Sequence, residues 1–101
     1  MTRLLEYLAS AQGNLEAIAN YLEDETGSAS LADAVIERLR AKCRKLAELP
    51  GLLGTERPEL GTALRSTPCE GYVIYFKYGV GALQVISVLH ASRDAEAHFH
   101  G

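Results

Sequence analysis

The last third of the chain, Leu64 to Asp94, reads LRSTPCEGYVIYFKYGVGALQVISVLHASRD. It narrows the available folds more than any other stretch. Two runs rich in β-branched and aromatic residues lie in it, Tyr72–Tyr78 and Ala82–His90. Such residues suit a pleated, half-buried surface. Gly79-Val80-Gly81 links them, and glycine supplies the positive φ that a tight hairpin needs. A shorter run, Thr62–Ser66, precedes them and is expected to end at Thr67-Pro68. Together the three runs predict an antiparallel meander. With a side-chain period of two, Tyr72, Ile74, Phe76 and Tyr78 share one face, and Val73, Tyr75 and Lys77 the other. In the last run Leu83, Val85, Ser87 and Leu89 alternate with Ala82, Gln84, Ile86, Val88 and His90. Both faces are fairly apolar. One is expected to pack on helices, the other to lie under a loop or a partner chain.

The helices stand upstream. Leu15, Ile18, Ala19 and Leu22 fall at i, i+3, i+4 and i+7, one face of a helix that runs to about Thr26. Ser10 is the expected N-cap. Glu23-Asp24-Glu25 ends this helix with charge of the unfavourable sign for its dipole. Gly27 sits where a helix-terminating glycine belongs, and Ser28 or Ser30 can cap the next helix. That second helix reaches about Glu48, with Leu31, Val35, Leu39, Cys43 and Leu46 as its apolar stripe. Cys43 therefore reads as a small core residue rather than a reactive thiol. A short Gly-Ser turn between two helices implies an antiparallel hairpin. Arg3–Leu8 is a short strand candidate, expected to join the later sheet. Residues 50–61, with three glycines and two prolines, read as loop. The tail from Ala95 reads as short and mobile, and its His98 and His100 are weak grounds for a metal site. The order strand, helix, helix, strand, strand, strand is that of a small α+β domain.

At 101 residues the chain is expected to form one domain, 1–101, and its 48% hydrophobic content is that of a globular protein. No signal peptide is evident, and no run approaches the ~20 apolar residues of a membrane span. Cys43 and Cys69 have no metal-like spacing, so free thiols and a cytoplasmic setting are expected. Net charge is −3, which argues against gripping a large RNA or duplex, where phosphate neutralisation dominates affinity. Half of the ten basic residues cluster as Arg38, Arg40, Lys42, Arg44 and Lys45. That cluster reads as the solvated face of the second helix.

Several pieces in this order resemble the ParE/RelE superfamily of toxins from type II toxin–antitoxin systems. Asn14-Leu15-Glu16-Ala17-Ile18-Ala19-Asn20-Tyr21 looks like the first-helix signature, with Asn14 where an acidic residue is usual. Leu46-Ala47-Glu48-Leu49-Pro50 leads into a glycine-bearing loop. Leu64-Arg65-Ser66 precedes Tyr72-Val73-Ile74-Tyr75-Phe76, and Val88-Leu89-His90 precedes Arg93-Asp94. The resemblance covers nearly the whole chain and is closer to the ParE branch.

It implies a toxin held in a hetero-oligomer by a ParD-like antitoxin, which lays a helix and an extended segment on it. ParE-type toxins poison DNA gyrase by binding. RelE-type toxins cut mRNA on the ribosome. The first reading expects no catalytic residues, cofactor, metal or direct nucleic-acid contact. Its contacts with target or antitoxin are expected at Arg57, Arg65, Tyr75, Lys77, His90 and Arg93. The second would use Arg65, His90 and Arg93 as two cations and an acid/base group. Net charge favours binding, as does a tail that lacks the tyrosine or lysine usual in RelE-like nucleases. Each of the three also has a structural role open to it: Arg65 could pair with Glu70 or Asp94, His90 could cap a strand end, and Arg93-Asp94 could fix a turn.

Overall fold

A computed structural model describes residues 2–100, so the outermost positions of the 1–101 range, Met1 and Gly101, lie outside it. The elements in order are β1 (Leu4–Tyr7), α1 (Ala9–Thr26), α2 (Ala29–Glu48), β2 (Thr55–Glu56), β3 (Arg65–Cys69), β4 (Tyr72–Gly79), β5 (Ala82–His90) and α3 (Ala95–His100). The strands form one mixed sheet in the order β1-β5-β4-β3-β2. β3, β4 and β5 are the expected antiparallel meander, and β1 adds to β5 in parallel.

The helical hairpin lies on one face of this sheet. Leu15 and Ile18 of α1, and Leu39, Cys43 and Leu46 of α2, bury against Ile74, Phe76, Leu83 and Val85. Gly27 ends α1 at φ 68°, with its amide donating to the Glu23 carbonyl at 2.8 Å. Ser28 caps α2 by accepting from the Leu31 amide at 3.2 Å. Ser10, expected as the α1 cap, instead sits inside the first turn. Leu8 holds the cap position with no side-chain bond, because its amide still extends the parallel ladder to the Val85 carbonyl at 3.0 Å. The Ser10 hydroxyl donates to the Ile86 carbonyl of β5. Leu31 also leaves the expected stripe. It is 57% exposed, and the neighbouring Ala32 is the buried residue in that turn.

Three features of the sheet were hidden in the sequence. β3 does not stop at Thr67-Pro68 but runs on to Cys69 and turns into β4 through Glu70-Gly71. Both turn residues have positive φ, 56° and 82°, the geometry of a two-residue hairpin turn whose twist matches its strands. Pro68 is tolerated because β2 pairs only with Arg65 and Ser66, which leaves Pro68 on an open edge. The second feature is a bulge. Tyr75 pairs with Ser87 and Phe76 with Val85, so Ile86 has no partner. The extra residue breaks strict alternation, and Val88 joins Leu83 and Val85 under the helices while Leu89 faces away. The third is β2, two residues inside the segment read as loop.

The far face of the sheet is covered from within the chain. Tyr75 and Leu89 bury there beneath Leu60 and Leu64, with Phe99 of α3 packed on them. The tail read as mobile is this helix. The Asp94 carboxylate accepts from the Ala97 amide at 3.2 Å. The Phe99 ring meets Tyr75 edge-on at 5.1 Å, and the His100 ring N–H donates to the Glu59 carbonyl at 2.8 Å. No helix among the described residues is long and apolar enough to cross a membrane.

Candidate functional site

The six candidate contact residues fall into three places. Arg65 points to the helix side at the β3 edge, where it gathers the loop before β2. Its Nε donates to the Leu53 carbonyl at 2.7 Å, and Nη2 donates to the Gly54 and Leu52 carbonyls at 3.2 and 3.4 Å. Nη1 lies 3.3 Å from the Glu56 carboxylate. With only 13% of its side chain exposed, Arg65 is a clasp on residues 52–54. Neither partner expected from sequence is used: Glu70 binds Arg38 at 2.7 Å, and Asp94 caps α3.

Arg57, Tyr75 and Lys77 belong to the opposite face. Arg57 Nε donates to the Ser66 hydroxyl at 2.8 Å, and Nη1 lies 3.7 Å from Glu59. Tyr75 is buried under Phe99, and that burial raises its phenol above the ordinary value. Lys77 is half-buried in a row with Gln84 and Glu6, where Gln84 donates to Glu6 at 3.4 Å.

His90 and Arg93 come together at the end of β5, at the mouth of a cleft of about 390 Å³. Its lining includes the buried Ile18 and Val88, the exposed Ala17, and Tyr21 and Tyr72. The Ser92 amide donates to His90 Nδ1 at 3.1 Å. A nitrogen that accepts from a backbone N–H carries its lone pair, so in the neutral ring the proton sits on Nε2. His90 thus offers an N–H donor, and its ring stands edge-on to Tyr72 at 5.5 Å. Arg93 is exposed and has no carboxylate within 4.0 Å among the described residues.

Strand register keeps Arg65 out of this cleft. Arg65 pairs with Phe76, and His90 with Tyr72. Four residues along β4 and two strand spacings across it separate them by about 16 Å at the backbone, and Arg65 turns towards the 52–54 loop. The two arginines and His90 therefore do not converge on one reacting phosphate.

Asn14, Tyr21 and Tyr72 complete the cleft and were not singled out from sequence as contact residues. The signal was present for two of them, because Asn14, Ile18 and Tyr21 lie at i, i+4 and i+7 on one face of α1. Asn14 Oδ1 accepts from the Val88 amide at 3.0 Å and ties α1 to β5. The basic face of α2 is partly engaged: Arg44 binds Glu37, and the Arg40 guanidinium lies 5.0 Å over the Tyr7 ring.

A helical hairpin on a mixed five-stranded sheet, with an open cleft at the end of the last long strand, is a small α+β architecture. The fold matches a solved chain described as the chromosomal ParDE TA system from P. aeruginosa, with a TM-score of 0.74 and 16% identity. The match covers 88% of this chain and 96% of that one. The sequence itself matches the ParE toxin of type II toxin–antitoxin systems, parDE, over residues 5–95, and the chain belongs to that family. No curated protein matches it.

Proposed function

We propose that this protein acts by binding: a cytoplasmic ParE-type toxin that holds DNA gyrase in a harmful state and is neutralised in a hetero-oligomer with a ParD-like antitoxin. Family membership across residues 5–95 carries the reading. The separation of Arg65 from His90 and Arg93 supports binding over cleavage, since transesterification needs base, acid and charge stabilisation around one phosphate. A net charge of −3 also suits a protein partner better than RNA. The contacts are assigned to the cleft of His90 and Arg93 and to Arg57 and Lys77 on the opposite face, where Tyr75, expected as a contact, instead packs under Phe99, with Arg65 shaping the loop at the sheet edge.

The test is a gyrase supercoiling reaction run beside cell-free translation, each with purified protein and with or without its antitoxin. Loss of supercoiling with translation intact, relieved by antitoxin, is the expected result. Loss of translation with cut mRNA would replace this reading with a RelE-like ribosome-dependent endonuclease.

A further inference from the structure

We infer that the cleft between α1 and the end of β5 receives an acidic side chain of the antitoxin, flanked by an apolar one, with Arg93 and His90 holding the carboxylate. This inference rests on the toxin–antitoxin reading above and names the chemistry of one contact within it.

The charge pattern carries the inference. Arg93 stands exposed with no ion-pair partner among the described residues. The adjacent acid, Asp94, is committed to the Ala97 amide at 3.2 Å. The Ser92 amide donates to His90 Nδ1 at 3.1 Å, and the Ser92 hydroxyl lies 2.7 Å from the same nitrogen, which leaves Nε2–H as the ring's free donor. Two donors therefore share a cleft whose lining at Ala17, Ile18 and Val88 is apolar. Asn14 adds a further donor, because its oxygen is used by the Val88 amide at 3.0 Å and its side-chain NH2 has no hydrogen-bond partner among the described residues. Tyr21 is 58% exposed beside the cleft, and exposed aromatics next to a single arginine are typical anchors of a protein interface.

An acid on an otherwise apolar segment satisfies both halves of this site. The carboxylate meets the fork of Arg93 and the imidazole N–H, and its apolar neighbour covers Ile18. A nucleic-acid strand fits less well. It would bring several phosphates to a site with one arginine, beside Asp94 and Glu96 on a chain of net charge −3.

The test uses the full-length chain and its full-length cognate antitoxin, with affinity measured by calorimetry. Arg93→Glu should weaken binding by roughly 30-fold or more, the scale expected for a reversed interfacial charge, while the thermal melt of the toxin alone stays in place. Each Asp and Glu of the antitoxin is then changed to Arg, and one such change should restore binding to Arg93→Glu while weakening binding to the wild type. His90→Phe, which loses the N–H, should weaken binding more than His90→Gln, which keeps a donor.

Equal affinity of the wild type and Arg93→Glu for the antitoxin overturns the inference and leaves the toxin reading intact. Failure of the wild type itself to bind the antitoxin overturns both. A short single-stranded RNA that displaces antitoxin from the wild type, but does not bind Arg93→Glu, would reassign the cleft to nucleic acid.

Discussion

Arg65→Ala should unfold the loop at the sheet edge and cost the fold itself, unlike Arg93→Ala. Of the four acceptors of Arg65, the Leu53 carbonyl at 2.7 Å is the shielded one, while Leu52, Gly54 and Glu56 are exposed and regain water once the guanidinium is gone. A hydrogen bond to a charged group contributes about 1.5–3 kcal/mol when its partner is left unsatisfied. The exposed Glu56 pair adds less than about 1 kcal/mol, and the packed stem of the side chain is lost as well. The sum is about 2–4 kcal/mol, which for a domain of this length lowers the melting temperature by roughly 10–25 °C. Arg93 is exposed and unpaired among the described residues, so Arg93→Ala should stay within about 0.5 kcal/mol of wild type. Circular-dichroism melts and urea titrations of the three proteins decide the matter. If Arg65→Ala melts together with Arg93→Ala, the clasp reading is wrong and Arg65 returns to the surface as a contact residue.

Further expectations concern the loop, the thiols and the tail. A Cβ at Gly54 would lie 2.6 Å from the Ser66 carbonyl and 2.8 Å from the buried Phe76 ring, whereas one at Gly51 meets nothing. Both glycines have positive φ, so Gly51→Ala isolates backbone strain of about 1–2 kcal/mol, and Gly54→Ala should cost a further ~1–3 kcal/mol of overpacking in the same denaturation assay. Burial pushes the Cys43 thiol up from 9.0 to about 11, and burial together with the Cys43 charge pushes the Tyr7 phenol from 10.0 to about 12. Above those ordinary values the unfolded chain releases protons that the folded chain keeps, so stability should fall as pH rises from 9 towards 12. A urea midpoint that is flat across this range would refute the burial of both groups. Iodoacetamide should label the half-buried Cys69 well before Cys43, as followed by mass spectrometry. Phe99→Ala removes the ring that covers Tyr75 and should free α3, raising amide exchange at 95–100 with little change in β4. Unchanged exchange there would mean that the His100 hydrogen bond to the Glu59 carbonyl suffices.

Much of the architecture was legible in the chain. Local signals carried it: the Gly27 stop and Ser28 cap divide α1 from α2, and the 3.6-residue period buries Leu39, Cys43 and Leu46. Period two set the faces of β4, with Ile74 and Phe76 under the helices and Tyr75 opposite. The toxin family was legible too, in short pieces kept in order from Asn14 to Asp94.

Other features depended on neighbours distant in sequence. Strict alternation assigned Val88 to the wrong face, because the bulge at Ile86 arises only when β5 meets β4. Pro68 ended a strand on paper, yet it fits an edge that β2 leaves unpaired. The C-terminal helix is six residues long, too short to be stable alone, and it forms because Phe99 has Tyr75 to cover. Arg65 and His90 both looked like site residues, since type and position near a strand end are all that composition records. Register across three strands is a tertiary property. It turned Arg65 into a clasp on its own loop and brought His90 and Arg93 to a cleft with Asn14 and Tyr21, more than sixty residues earlier in the chain.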